Sequence, residues 1–95
     1  KRGKSFVSPV VVTYIVKNKT NNLQIGITTS KKIGKAVQRN RCRRIIRAAF
    51  SQLSPMVKNG YDIVFVARAK TPYVKSTDVY NAIKIHLQQA NVIDN

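Results

Sequence analysis

The stretch KAVQRNRCRRIIRAAF, Lys35–Phe50, carries five arginines and no acid, interleaved with apolar residues. At about 100° per residue, Cys42, Ile45, Ile46, Ala49 and Leu53 fall in one stripe of a helix. Asn40, Arg41, Arg43, Arg44 and Arg47 spread around the opposite side, and Arg39 sits near the boundary. The spacing predicts a helix with a core face and an arginine face. Like charges on one helix repel when no acid stands three or four residues away. Phosphates reverse that penalty by neutralising the cations and releasing counterions.

On the N-terminal side, Val10–Val16 is a β-branched, aromatic-containing run and Leu23–Thr29 a second one, so both read as strands. The polar cluster KNKTNN between them predicts a turn that pairs the two as a hairpin. In the second strand Leu23, Ile25 and Ile27 share one face, leaving Gln24, Gly26 and Thr28 on the other. Residues 1–9 read as a basic lead-in. On the C-terminal side, Ser54-Pro55 and Asn59-Gly60 end the basic helix. YDIVFVA, Tyr61–Ala67, is nearly continuous in apolar character and predicts a central strand. A loop with Pro72 follows, and Ser76 or Thr77 is placed to cap a last helix with Val79, Ile83, Leu87 and Ala90 inward. The order β-β-α-β-α predicts an α/β sandwich with helices against a small sheet.

The chain of 95 residues suits a single domain, residues 1–95. Lys plus Arg number 18 against three Asp, a formal net charge of +15. Such an imbalance favours a polyanion, nucleic acid foremost, and by itself does not separate RNA from DNA. No run approaches the roughly 18 apolar residues of a membrane span, and there is no signal-peptide pattern. A soluble, cytoplasmic protein with no membrane partner is the expectation. The single cysteine excludes an internal disulfide.

Enzymatic chemistry finds little to work with. Asp62, Asp78 and Asp94 are far apart in sequence, which leaves no evident general base or metal cage. His86 reads as a partly buried structural residue. Cys42 lies on the core stripe despite flanking Arg41 and Arg43. Gly34-Lys35 has the flavour of a phosphate loop, but Ala36 stands where Ser or Thr would hold magnesium. No catalytic and no metal-binding residue is expected.

The segment TTSKKIGKAVQRNRCRRIIRAAF, Thr28–Phe50, resembles the signature of the bacterial ribonuclease P protein family. The family hallmark, arginine-asparagine-arginine, is matched by Arg39-Asn40-Arg41, and its further basic positions by Arg43, Arg44 and Arg47. Lys31, Lys32 and Gly34 also match, with Lys35 in the same basic run. YDIVFVAR resembles the strand after the basic helix, and Val12 and Tyr14 fall where the family has strand residues lining a cleft.

That resemblance implies an α/β sandwich with a left-handed β-α-β crossover, a hand that general rules disfavour. It implies the protein subunit of an endoribonuclease that removes the 5′ leader of precursor tRNA. The partners would be the catalytic RNA and precursor tRNA, with no DNA. Hydrolysis would belong to the RNA subunit and its magnesium ions, and the protein alone would bind no cofactor. Lys31, Lys32, Lys35, Arg39, Asn40, Arg41, Arg43, Arg44 and Arg47 would bind RNA. Val12 and Tyr14 would line the leader cleft, Tyr14 stacking beside Arg39, Arg43 and Arg47. Family members carry a helix ahead of the first strand, and the sequence from Lys1 is expected to lack it. The rival readings are a ribosomal or RNA-assembly protein on a similar sandwich, and a DNA binder with the basic helix in a major groove.

Overall fold

Tyr61–Ala67 is the strand that organises the molecule, a computed structural model that describes residues 3–93. In chain order the elements are β1 (Lys4–Val7), β2 (Val11–Lys17), β3 (Leu23–Thr28), α1 (Ala36–Ser51), β4 (Tyr61–Ala67) and α2 (Ser76–Gln89). The sheet order is β1-β2-β4-β3. β4 pairs antiparallel with β2, Tyr14 opposite Val64, and parallel with β3, Gly26 opposite Val64. Both helices pack on one face, α2 over β2 and α1 over β3 and β4.

The hairpin expected from β2 and β3 does not form, because each pairs with β4 and not with the other. β4 is the most apolar strand and takes the centre of the sheet, where its helix-facing Ile63 and Phe65 are fully buried. The polar link after β2 instead crosses the start of β4. Asn18 N–H donates to the Gly60 carbonyl at 2.8 Å, and Gly60 N–H to the Asn22 carbonyl at 3.0 Å. Gly60 adopts φ +94°, a conformation costly for any side chain. β3 and β4 are therefore parallel neighbours joined through α1, the β-α-β connection that the family resemblance implies.

The lead-in is also more ordered than its composition suggests. Lys4–Val7 forms an edge strand on β2, and Phe6 reaches the core margin. Ser8 makes the reversal: its Oγ accepts from the Val11 amide at 3.1 Å. Lys75 is the N-cap of the last helix, one residue before the expected Ser76. There the Asp78 carboxylate accepts from the Lys75 N–H at 3.2 Å, satisfying a free amide at the helix start.

The core joins Val11, Ile15, Ile63 and Phe65 of the sheet to Cys42, Ile46, Ala49 and Phe50 of α1 and Val79, Ile83 and Leu87 of α2. The Phe50 and Phe65 rings lie 5.3 Å apart in a tilted pair. Ile45 is only half-buried, at the margin of the stripe. Burial pushes the Cys42 thiol up, and the Arg43 charge opposes this only weakly. Cys42 is a packing residue.

His86 is buried between the sheet and α2, with Nδ1 2.8 Å from Thr13 Oγ1 and its ring stacked on Phe6. Desolvation lowers its pKa below the ordinary 6.5. The unfolded chain then binds a proton more readily than the folded one. Stability is complete above the unfolded value and declines as pH falls below about 6.5, toward the lower folded value. Melting curves taken from pH 8 to pH 5 should show that decline, and His86→Gln should flatten it. An unchanged slope in the variant would assign the decline to other groups.

Candidate nucleic-acid interface

The basic segment begins with Lys31 and Lys32 on a 3-10 turn that Ser30 caps, its Oγ accepting from the Lys32 N–H at 3.3 Å. Gly34 ends the turn at φ +139°, where a side chain would be strained and would crowd Gln38. Its carbonyl accepts from the Arg39 guanidinium at 2.8 Å. Lys35 then stands at the N-cap of α1 and supplies no side-chain cap. The first-turn amides of α1 thus sit beside Lys31, Lys32 and Lys35 with no acid among them, an arrangement suited to phosphate.

Along α1 the cations point in different directions. Arg39 is half-buried against Gly34. Arg41 donates through Nε to the Pro72 carbonyl at 2.8 Å, which aims it at the loop after β4. Arg43 is half-buried and donates to Asn40 Oδ1 at 3.1 Å, so Asn40 orients an arginine. Arg44 and Arg47 are exposed. Beside Arg41 stand the exposed Val37 and Tyr73, with Gln38 Nε2 donating to the Tyr73 hydroxyl at 3.4 Å. Sequence reading missed Tyr73, because Pro72 marks a loop and says nothing of what that loop packs on.

Val12 and Tyr14 lie elsewhere. Val11, Thr13 and Ile15 point toward the helices, so Val12, Tyr14 and Val16 occupy the opposite face of the sheet. The structure therefore separates Tyr14 from Arg39, Arg43 and Arg47, with which the cleft reading grouped it. Alternation along β2 is the reason: one face must cover the core, and α1 lies on that face. Tyr14 is 47% exposed, among Ser5, Val64 and Gly26 of the same row. A Cβ at Gly26 would meet only Val64, at 3.7 Å, so the glycine leaves that row low. The face also carries the exposed Val7 and Val16.

Among the described residues no three His, Cys, Asp or Glu side chains cluster. Asp62 accepts from Asn18 Nδ2 at 2.9 Å and Asp78 caps α2, so both carboxylates have structural roles. No helix among the described residues is long and apolar enough to cross a membrane.

The sequence profile of the Ribonuclease P family matches residues 1–91. The chain belongs to the Ribonuclease P family. The ribonuclease P protein component of Clostridioides difficile is 41% identical over 97% of this chain and 82% of its own length. Among solved structures, the Staphylococcus aureus RNase P protein is similar with a TM-score of 0.81 at 30% identity. It is covered over 84% of its length and covers 97% of this chain. The Thermotoga maritima RNase P protein has a TM-score of 0.79 at 28% identity, covering 98% of this chain and 86% of its own. The mixed sheet with two helices on one face is thus a Ribonuclease P protein fold.

Proposed function

We propose that the chain is the protein subunit of a ribonuclease P ribonucleoprotein. It binds the catalytic RNA and the 5′ leader of precursor tRNA and supports endonucleolytic removal of that leader. The observation that carries this reading is the continuous basic segment from Lys31 to Arg47, which leads from a phosphate-ready helix start into five arginines with no acid anywhere in the segment. Family membership favours it over a ribosomal, assembly or DNA-binding role.

The two surfaces divide the work. α1 and the lysines before it hold the folded RNA subunit by its phosphates. The open face of the sheet takes the single-stranded leader, with Tyr14 as a stacking surface and Val12 beside it. The donor set of the described residues does not fit a magnesium cage, since Asp62 and Asp78 are already hydrogen-bonded and no three His, Cys, Asp or Glu side chains cluster. Magnesium and hydrolysis belong to the RNA subunit, and the chain binds and positions.

The test is reconstitution with the ribonuclease P RNA of Clostridioides difficile and a precursor tRNA. The chain should raise cleavage by the RNA at limiting magnesium and leave precursor tRNA intact on its own. Site-specific cleavage by rigorously RNA-free chain would overturn the division of labour. Within the complex, Tyr14→Ala should weaken precursor tRNA binding by about tenfold, within the range of one base–aromatic stack. Leaderless tRNA should be nearly unaffected. Equal losses on both substrates would remove Tyr14 from the leader site.

A further inference from the structure

A groove of about 410 Å³ opens between β3 and the C-terminal half of α1. Its floor is apolar: Ile25 and Ile27 of β3 and the edge of Phe50 of α1, with the fully buried Phe65 of β4 beneath them. Ile25 is 39% exposed, although its neighbour across the ladder, Ile63, is fully buried. The helix-facing row of the sheet is thus covered over β4 and left open over β3. Arg43 and Arg47 stand at the rim one helical turn apart, and among the described residues no carboxylate lines the groove. Ser51 Oγ donates to the Ala48 carbonyl at 2.9 Å and Ser54 Oγ to the Ser51 carbonyl at 3.3 Å. With both protons committed, these two hydroxyls offer only lone pairs to the groove.

A solvated helix face would not carry an aromatic, aliphatic floor, and a packing gap would not carry two guanidiniums at its mouth. An unstacked nucleobase matches every part. Its ring needs a flat apolar surface, its N–H groups need acceptors, and its flanking phosphates need cations. The volume lies within the range of about 300–1,000 Å³ typical of small-ligand sites.

We propose that this groove receives one unpaired nucleobase of the ribonuclease P RNA, with Arg43 and Arg47 on the adjoining phosphates. The inference rests on the function proposed above. The RNA subunit is the source because the groove lies on the α1 side of the sheet, whereas the leader surface lies on the opposite face. Asn40 belongs to the same site as a positioning residue, through its 3.1 Å hydrogen bond from Arg43.

Two experiments test this. In the first, isotope-labelled chain is titrated with AMP and, separately, with ribose 5-phosphate. AMP should shift the Ile25 and Ile27 methyl signals and the Phe50 ring, whereas ribose 5-phosphate should move only the arginine signals. AMP that leaves the methyl signals in place overturns the proposal. In the second, Ser51→Trp fills the groove from an exposed helix position. Affinity for the Clostridioides difficile ribonuclease P RNA should fall by about tenfold, the scale of one base–aromatic stack. The salt slope should stay the same, because no cation is removed. Full affinity in Ser51→Trp beside normal wild-type binding would sink the groove alone. Failure of the wild-type chain to bind that RNA would sink the underlying function instead. Should Ser51→Trp melt early, the AMP titration of the wild-type chain decides.

Discussion

Replacing Arg43, Arg44 and Arg47 together with alanine is expected to weaken RNA binding about a hundredfold or more near physiological salt. The melting temperature should change little. Each phosphate left without its arginine should reduce the slope of log K against log salt by about 0.7–0.9, so the triple variant should lose about 2 to 3. The fold should survive because these side chains carry little of it. Arg44 and Arg47 are exposed, and among the described residues the Arg43 side chain hydrogen-bonds only to the exposed Asn40. Removing three like charges from one helix also relieves repulsion. Arg39 and Arg41 differ: each donates to a backbone carbonyl, of Gly34 and Pro72 respectively, and each helps fix a loop. Their substitution should lower stability as well as binding. Filter binding across a salt series and a melting curve check both halves. A triple variant that melts far below wild type while binding RNA normally would refute the division into binding and packing faces.

Local pattern is legible in the sequence, whereas strand pairing is hidden. The core stripe of α1 is readable because Cys42, Ile46 and Ala49 repeat with the helical period, and all three are fully buried. The nearly continuous apolar run of β4 is equally readable as a central strand. Which strands flank it is not, since a short polar link suits a hairpin as well as it suits a crossing over the end of β4. β1 escapes notice for a related reason. An edge strand needs few apolar residues, and in Lys4–Val7 it is mainly Phe6 that packs inward. For the site, the basic residues are legible as a set while their directions are not. Arg41 turns toward Pro72 and Arg43 toward Asn40, choices made by tertiary neighbours. Tyr14 is visible as an open-face residue of its strand, but only the packing side of α1 shows that the arginines lie across the sheet. The groove over Ile25 is the least legible feature. It depends on how far α1 extends over β3, which no periodicity encodes.

Ile46→Ala should cost about 2–5 kcal/mol, and Ile45→Ala clearly less. The two are adjacent and chemically identical, so the contrast isolates burial. Ile46 is fully buried among the core residues of both helices and the sheet, whereas Ile45 is half-buried beside them. A domain of this length holds roughly 5–14 kcal/mol in total, so the Ile46 loss is a large fraction of its stability. At about 4–8 °C per kcal/mol for a domain of 60–100 residues, the melting temperature should fall by about 10 °C or more. The consequence for RNA binding separates packing from recognition. Ile46→Ala leaves every cation in place, so its folded fraction should bind RNA with the wild-type salt slope. Apparent affinity should fall only by the fraction unfolded, and lowering the temperature below the transition should restore it. RNA itself should raise the melting temperature of this variant, because it binds the folded state preferentially. A reduced salt slope in fully folded Ile46→Ala would show that the apolar face of α1 sets the aim of its arginines as well as anchoring the helix.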